Sequence, residues 1–242
     1  MTQVYWLEQT ALDVPVEDDW LGDYELHRLR SIRFPKRRAD WRLGRWTAKT
    51  VLATLWGAGS DDQSLSKIEI RAAASGAPEV FVNGAAVTTT ISLTHRDGLA
   101  ACAVIPGRRA LGCDLETIEP RSPAFICDYF TLDEQDFIRS GDSGLRATLL
   151  WSAKESALKA MHLGLRADTR SVMVSIKNEF AKLTEANAAL WRPLRVRGLS
   201  QCFVEGFWQA EDRFVRTIVA DTALTEITFM QSQHATELVE GD

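Results

Sequence analysis

Residues Arg37–Leu55 read RRADWRLGRWTAKTVLATL, and this stretch carries the clearest structural signal in the chain. Its apolar residues recur every three to four positions, which predicts an amphipathic helix. Pro35 stands where such a helix can begin, and Gly57 stands where it can end. The segment WTAK at Trp46–Lys49 returns as WSAK at Trp151–Lys154, an offset of 105 residues. We therefore expect a second helix of the same kind in the second half of the chain.

The offset of 105 residues relates other positions in the two halves. Three further pairs match: Asp23 and Asp128, Tyr24 and Tyr129, and Gly59 and Gly164. We interpret the pattern as two similar lobes from a duplication, with coincidence as the alternative. The expected boundaries are 1–108 for the N-terminal lobe, 109–231 for the C-terminal lobe and 232–242 for a loose polar tail.

Other segments supply the remaining helices and the strands. Thr131 and Glu134 form the pattern of a capping box, which predicts a helix up to about Arg139. A longer helix is predicted over 144–161. Apolar or β-branched runs predict strands at 79–84, 87–94, 99–105, 110–116, 172–176, 200–209 and 214–220. The predicted class is α+β, with each lobe a small, mostly antiparallel sheet packed with a long helix.

Composition places the chain among globular proteins. Of its 242 residues, 45% are apolar and 25% are charged. No run of about 18 apolar residues predicts a membrane span, and the first residues do not resemble a secretory signal. The four cysteines form no CxxC pair, so we expect free thiols and a cytoplasmic protein that binds no membrane.

The charge is unevenly distributed along the chain. The net charge is −5, which disfavours a nucleic-acid partner. Yet residues 27–49 contain nine Lys or Arg and one acid, Asp40. The predicted helix therefore carries a cationic rim, which suits a polyanionic small ligand. A solvated charged surface is the alternative reading of the same run.

Acidic residues in the second half suggest a metal. Asp114 and Glu116 lie two apart on a predicted strand, so their side chains leave the same face. Gly112, just before them, permits close approach of another backbone or a ligand. Carboxylate oxygens suit Mg²⁺. Glu155 and Lys159 are neighbours on one helix face, either as a surface ion pair or as a catalytic acid–base and phosphate-binding pair.

Two motifs together resemble a known family. LGCDLE at Leu111–Glu116, followed by WSAKESALKA at Trp151–Ala160, resembles the paired signature of 4′-phosphopantetheinyl transferases. The length and the two-lobe layout are similar to the longer, pseudo-dimeric Sfp-type branch of that superfamily. Supporting segments are RRADWRLGRWTAK (37–49), SGAPEVF (75–81) and ISLTH (91–95).

The resemblance implies an activity and a set of catalytic residues. It implies transfer of the 4′-phosphopantetheine arm from coenzyme A to a serine of an apo acyl, peptidyl or polyketide carrier protein, with release of adenosine 3′,5′-bisphosphate. It implies Asp114, Glu116 and Glu155 as ligands of Mg²⁺ or Mn²⁺. Glu155, or a water on the metal, would be the base, and Lys159 would face the diphosphate, with Asp114 also counted as catalytic. A non-catalytic coenzyme A-binding module is the alternative.

The resemblance also implies where coenzyme A and the carrier bind. The residues expected to bind coenzyme A are Arg38, Arg42, Arg45, Lys49, Gly76, Ala77, Pro78, Thr94, His95, Lys154 and Lys159. Taken alone, His95 is read as an ordinary structural histidine. Residues 121–136 are expected to meet the carrier, through Pro123, Phe125, Ile126 and Phe130, with core packing as the alternative for Phe125 and Phe130. An internal pseudo-dimer would supply both lobes, so a monomer is expected.

Overall fold

The structure is a computed structural model that describes residues 2–164, 167–176, 180, 189–198 and 203–231. The tail expected over 232–242 and the first residues of the strand expected over 200–209 lie outside these ranges.

Helices and strands both run through each half of the described chain. The helices are α1 (Asp23–Arg30), α2 (Pro35–Trp56), α3 (Asp62–Ser66), α4 (Pro123–Tyr129), α5 (Leu132–Arg139) and α6 (Ser143–Ala160). The strands of the first half are β1 (Thr2–Thr10), β2 (Ile68–Ala72), β3 (Pro78–Val82), β4 (Ala85–Ala86), β5 (Thr89–Arg96) and β6 (Leu99–Pro106). Those that follow are β7 (Leu111–Thr117), β8 (Met173–Ser175), β9 (Arg192–Arg197), β10 (Phe203–Glu211), β11 (Phe214–Ala220) and β12 (Leu224–Phe229). The predicted α+β class is confirmed.

The chain divides into two compact units. The first comprises Gln3–Arg108 together with the residues from Thr225 onward, and the second comprises Arg109–Leu224 with the first two residues. In the first unit a sheet has the strand order β12-β1-β6-β5, and β6 runs antiparallel to both β1 and β5. A smaller antiparallel sheet has the order β2-β3-β4.

Helix α2 supplies the core of the first unit. Its apolar side chains, with Val51 and Leu52 fully buried, pack in one cluster with Trp20 and with strand residues such as Leu7. Pro35 occupies the first turn, where a missing N–H costs no hydrogen bond. The helix ends at Gly57, whose left-handed φ of 62° suits glycine. The predicted helix over Arg37–Leu55 is therefore confirmed.

A glycine within α2 offers a test of this packing. Gly44 is buried in the helix, yet a methyl group added there would have no heavy atom within 4 Å. Because alanine restricts the unfolded chain more than glycine, Gly44→Ala should stabilise the protein by about 0.5–1 kcal/mol. Urea unfolding followed by tryptophan fluorescence measures the change.

The control for this prediction is Gly57→Ala at the end of the same helix. That position also has open space around it, but its φ is positive, so alanine should destabilise it. A loss of stability at Gly44 as large as that at Gly57 would contradict the prediction.

The second unit is built on one antiparallel sheet with the strand order β7-β11-β10-β9-β8. Helix α6 packs its Leu149, Ala153 and Ala157 into a core with Trp208 and other strand residues. The predicted long helix over 144–161 is confirmed at Ser143–Ala160. The predicted capping box is also confirmed, because Thr131 and Glu134 exchange hydrogen bonds at the start of α5.

Some strands were not predicted from the sequence. They are β1, β2, β4, β9 and β12. Strand β12 joins β1 in the first unit's sheet, whereas the sequence-based lobe boundaries group it with the second lobe. The duplication of the lobes stays a prediction. No helix in the described part of the chain is both long and apolar enough to cross a membrane.

Candidate active site

Two buried carboxylates lie side by side on edge strand β7. Asp114 is 3% exposed and Glu116 is 8% exposed. Strand β7 pairs with β11 so that Asp114 lies opposite Thr217 and Glu116 lies opposite Val215. Since alternate residues of a strand share a face, both carboxylates leave β7 on the same side. Burial of two acids so close together requires nearby cations.

Gly112 allows α6 to approach β7. A Cβ atom at this position would lie 1.8 Å from the main-chain oxygen of Ser156 and 2.8 Å from the main-chain nitrogen of Ala160. No side chain fits in that space, so only glycine permits this contact. The predicted close approach at Gly112 is confirmed, and the neighbour is the backbone of α6.

Helix α6 presents Glu155 and Lys159 from an otherwise buried segment. Between Ala147 and Ala160 these two residues alone keep partial exposure. Lys159 Nζ lies 2.8 Å from Asp114 Oδ1 and 2.9 Å from the main-chain oxygen of Cys113. Lys159 therefore makes an ion pair across to β7, so the isolated surface pair considered from the sequence does not describe this lysine.

The carboxyl group of Glu155 has a raised pKa. Burial, followed by the negative charges of Asp114 and Glu116, raises the pKa of Glu155 from 4.5 to about 7, although Lys159 acts in the opposite direction. Its proton affinity therefore falls in the physiological range, where a carboxylate can both accept and hold a proton.

Lys159 remains a cation in this setting. Burial acts to lower the pKa of Lys159, but the charges of Asp114, Cys113 and Glu155 outweigh it and raise that pKa above the ordinary lysine value. Lys159 therefore supplies a positive charge next to Asp114 and Glu155.

Glu116 has two further partners within the unit. Its Oε1 accepts a hydrogen bond of 3.2 Å from the indole Nε1 of Trp151, and its Oε2 accepts one of 3.3 Å from Arg121. Arg121 also contacts Glu119 at 2.9 Å and lies over the ring of Phe125. From the sequence, Arg121 was expected only as the first residue of the segment that meets the carrier, not as a partner of Glu116. The proline-interrupted segment IEPR after the strand gave no sign that the chain turns back to Glu116.

The donor set fits a hard divalent cation in type. Asp114, Glu116 and Glu155 offer only carboxylate oxygens, which Mg²⁺ prefers, and the raised pKa of Glu155 reports negative charge that a cation would offset. In the structure, Lys159 and Arg121 contact two of these acids. Across the described ranges no group of three or more His, Cys, Asp or Glu side chains is gathered closely enough to hold a metal ion.

The region around these residues matches a known family. Residues 110–194 match the family model described as the 4'-phosphopantetheinyl transferase superfamily. Residues 110–194 belong to this superfamily. The match contains β7, α4, α5, α6 and β8 and reaches the beginning of β9, so it includes every acidic and basic residue described above. Comparison with curated proteins gives no match.

Membership of the superfamily indicates an activity in general terms. It supports phosphopantetheinyl transfer, with coenzyme A as co-substrate and a carrier protein as acceptor. The recognition made from LGCDLE and WSAKESALKA is confirmed at the level of the superfamily. Assignment to its longer, Sfp-type branch stays a prediction.

The arginines expected to bind coenzyme A lie on α2, outside the segment matched to the superfamily. Arg42 contacts Asp18 at 2.8 Å and donates hydrogen bonds to main-chain oxygens of the preceding loop, including that of Pro15 at 2.6 Å. Arg38 contacts the same Asp18 at 3.5 Å and keeps 41% of its side chain exposed. Arg45 stacks over Trp41, and burial lowers its pKa. Of the three, Arg38 is the most accessible.

The structure brings His95 close to α2. His95 Nε2 lies 3.8 Å from Asp40, which Lys36 contacts from the same helix at 3.5 Å, and more than half of the His95 side chain is exposed. Thr94, its neighbour on β5, is buried. Gly76, in the turn that connects β2 to β3, has a positive φ of 91°. These residues lie in the first unit, with α2.

The structure buries two lysines that the sequence analysis expected to bind coenzyme A. Lys49 and Lys154 have no exposed surface. Lys49 Nζ lies 2.5 Å from Glu25, and Lys154 Nζ lies 2.9 Å from Glu134. Their ammonium groups therefore lie in the protein interior, where a phosphate group of a ligand at the surface does not contact them. The sequence pattern correctly predicted that both lysines lie on helices. It could not predict which side chains pack over them.

The segment expected to meet the carrier has both buried and exposed parts. Phe130 is 1% exposed and belongs to a core with Trp151. Phe125 packs against that core, with its ring 5.0 Å from the ring of Trp151. Core packing therefore accounts for Phe125 and Phe130. Pro123 and the nearby Leu132 are exposed.

Proposed function

We propose that the chain is a 4′-phosphopantetheinyl transferase that moves the phosphopantetheine arm of coenzyme A to a serine of an apo carrier protein. One observation carries this proposal. Within the residues matched to the superfamily, Glu155 has a pKa of about 7 beside the Lys159–Asp114 ion pair. A base that titrates near neutral pH can accept the proton of an attacking hydroxyl group, and a cation beside it can stabilise charge on a phosphate.

Glu155 is proposed as the base. Its carboxylate would accept the proton of the carrier serine as that oxygen attacks the β-phosphorus of coenzyme A. General bases work best when their pKa lies near the working pH, which matches the raised pKa of this group. The acid is partly exposed on α6, so a hydroxyl group from a second protein can reach it.

Lys159 is proposed to bind the diphosphate. It keeps its positive charge because nearby negative charges raise its pKa, and it is partly exposed, unlike Lys154. Its ammonium would neutralise charge on the departing 3′,5′-bisphosphate as the P–O bond breaks. Asp114 orients that ammonium through the 2.8 Å contact.

Asp114, Glu116 and Glu155 are proposed to hold Mg²⁺ or Mn²⁺. The bound ion would supply positive charge to the diphosphate oxygens. The three acids supply oxygen ligands of the right type, and the raised pKa of Glu155, which is caused first by burial and then by the negative charges of Asp114 and Glu116, favours a cation among them.

Basic residues of the first unit that keep some exposed surface are proposed to bind the phosphates of coenzyme A. These are Arg38, Arg42, Arg45 and His95, with Thr94 beside His95 at the 3′-phosphate and the turn at 76–78 on the adenine side. Arginine suits phosphate because its planar guanidinium can donate two hydrogen bonds at once. Lys49 and Lys154 are left out because they are buried. We also propose that the protein works in the cytoplasm as a monomer.

A direct assay tests the proposed function. The purified chain is incubated with coenzyme A, Mg²⁺ and a panel of apo acyl, peptidyl and polyketide carrier domains, and intact mass is measured. The expected result is a gain of one phosphopantetheine arm on at least one carrier, lost when EDTA is added or when the carrier serine is replaced by alanine. Binding of coenzyme A without transfer to any carrier would instead support a non-catalytic binding module.

A further inference from the structure

The two units contain the same buried arrangement around a lysine. Lys49 on α2 and Lys154 on α6 are both fully buried and are related by the offset of 105 residues. Lys49 Nζ lies 2.5 Å from a carboxylate oxygen of Glu25, and Lys154 Nζ lies 2.9 Å from one of Glu134. We call the two pairs the first clasp (Lys49–Glu25) and the second clasp (Lys154–Glu134).

Each lysine also binds main-chain oxygen atoms and an aromatic ring. Lys49 donates a hydrogen bond of 2.8 Å to the main-chain oxygen of Trp20 and lies 5.4 Å from the centre of that residue's ring. Lys154 donates to the main-chain oxygens of Thr169 and Val172, at 2.8 and 2.6 Å, and lies 5.6 Å from the centre of the Phe130 ring. Both ammonium groups are thus enclosed by protein acceptors.

Each glutamate connects three parts of its unit. Glu25 caps α1 by accepting the Gly22 N–H at 3.3 Å and accepts the N–H of Ile70 on β2 at 2.9 Å. Glu134 likewise accepts the Thr131 N–H at the start of α5 at 2.9 Å and the N–H of Val174 on β8 at 3.3 Å. A clasp therefore ties a long helix to the start of a neighbouring helix and to a strand.

Stability alone does not explain two such pairs. A buried ion pair loses its hydration, and apolar residues of similar volume often serve the folded state equally well or better. What a buried, fully hydrogen-bonded pair adds is a single permitted geometry, because any shift leaves a charge without its partners. The helix that carries each lysine also carries residues proposed for function.

We propose that the clasps are positioning devices: the second clasp fixes α6 so that Glu155 and Lys159 face Asp114, and the first clasp fixes α2, which carries the arginines proposed to bind coenzyme A. The inference rests on the proposed function. Glu155 directly follows Lys154, so a small rotation of α6 displaces it. Arg45 precedes Lys49 by one helical turn and lies 4.0 Å from Glu25.

The two clasps predict different kinetic effects. Lys154→Met should lower kcat about 10- to 100-fold, because misplacing a catalytic group by about 1 Å can cost 100-fold, and it should also raise the KM for coenzyme A because Lys159 moves with α6. Lys49→Met should raise the KM and the calorimetric Kd for coenzyme A about tenfold and leave kcat within twofold. The two lysines are equally buried, so each variant is the matched control of the other.

A paired variant separates positioning from stability. Lys154→Met combined with Glu134→Gln leaves no buried unpaired charge, and the glutamine oxygen can still accept the Thr131 N–H at the start of α5, although the amide nitrogen cannot accept the Val174 N–H. The double variant should recover part of the melting temperature that Lys154→Met loses and still show the reduced kcat. If Lys154→Met alone does not fold, kcat is measured on the double variant instead.

The experiment distinguishes two kinds of failure. Suppose that the wild type is active. A double variant with normal kcat would then overturn the positioning role and leave the proposed function intact. Single variants that change only the melting temperature would have the same meaning. A wild-type chain that neither transfers the arm nor binds coenzyme A would overturn both. The supporting outcome is a loss of kcat in Lys154→Met, and a raised KM with unchanged kcat in Lys49→Met.

Discussion

Glu155→Gln is expected to lower the rate of phosphopantetheine transfer by at least about 100-fold, within the 10²–10⁴ range that loss of a general base usually causes. Glutamine keeps the shape of the side chain but can neither accept the serine proton nor offer a charged oxygen to a divalent cation. The rate is measured as single-turnover formation of holo carrier by intact mass. Retention of more than about a tenth of the wild-type rate would contradict the role of Glu155.

The same variant should fold at least as well as the wild type when no metal is added. Folding raises the pKa of Glu155 from 4.5 to about 7, so the folded state binds more protons than the unfolded state between these values. This group therefore destabilises the protein as the pH rises from 4.5 towards 7, and glutamine removes that dependence. Melting temperatures at pH 5 and pH 8 check the sign.

A surface carboxylate supplies the control for Glu155→Gln. Glu205 lies in the same unit, is about half exposed and pairs with Arg195 at the surface. Glu205→Gln should leave both the transfer rate and the melting temperature close to those of the wild type, since exposed ion pairs contribute little. Equal losses in the two variants would indicate a general effect of charge on the unit.

Gly112→Ala is expected to destabilise the protein by about 3 kcal/mol or more and to abolish transfer. The added Cβ would lie 1.8 Å from the main-chain oxygen of Ser156, and neither backbone can yield without separating β7 from α6. Separation would also move Asp114 away from Lys159, so activity should fall even in the fraction that remains folded. Chemical unfolding and the transfer assay measure the two effects.

Gly144→Ala tests whether the effect is specific to the contact at Gly112. Gly144 lies in the first turn of the same helix, and the nearest heavy atom to its added Cβ is 3.5 Å away, an ordinary contact. Alanine there should be neutral or slightly stabilising. If Gly112→Ala has the wild-type melting temperature, β7 and α6 do not approach each other as described.

The sequence predicted those elements whose signal is local. The spacing of apolar residues located α2, the repeat of WTAK as WSAK indicated α6, and Thr131 with Glu134 located the start of α5. Strand β1 was missed because its residues pair with β6 about 95 residues later, so its status depends on distant partners. Strand β12 was missed for the same reason, since it pairs with a strand at the other end of the chain.

The acids and Lys159 of the candidate site were found because strand and helix periods fix which side chains share a face. The periods could not show that Lys159 reaches across to Asp114 rather than pairing only along its helix. They also could not show that Trp20 and Phe130 cover Lys49 and Lys154, because burial is decided by the residues that pack over a helix. Arg121 was not predicted as a partner of Glu116 because a turn has no regular spacing of residues that shows which side chains share a face.

The pairing of β12 with β1 has a consequence for how the protein matures on the ribosome. Strand β1 is synthesised long before its neighbour β12, which emerges only after Arg109–Leu224 and then holds β1 through contacts such as the 2.6 Å hydrogen bond from Gln3 to Thr228. Domains that fold during synthesis generally do so from the N-terminus. Here Arg109–Leu224 forms an uninterrupted unit that can fold before the first sheet receives its last strand. A nascent chain halted before Leu224 would leave one edge of β1 uncovered and open to pairing with another strand.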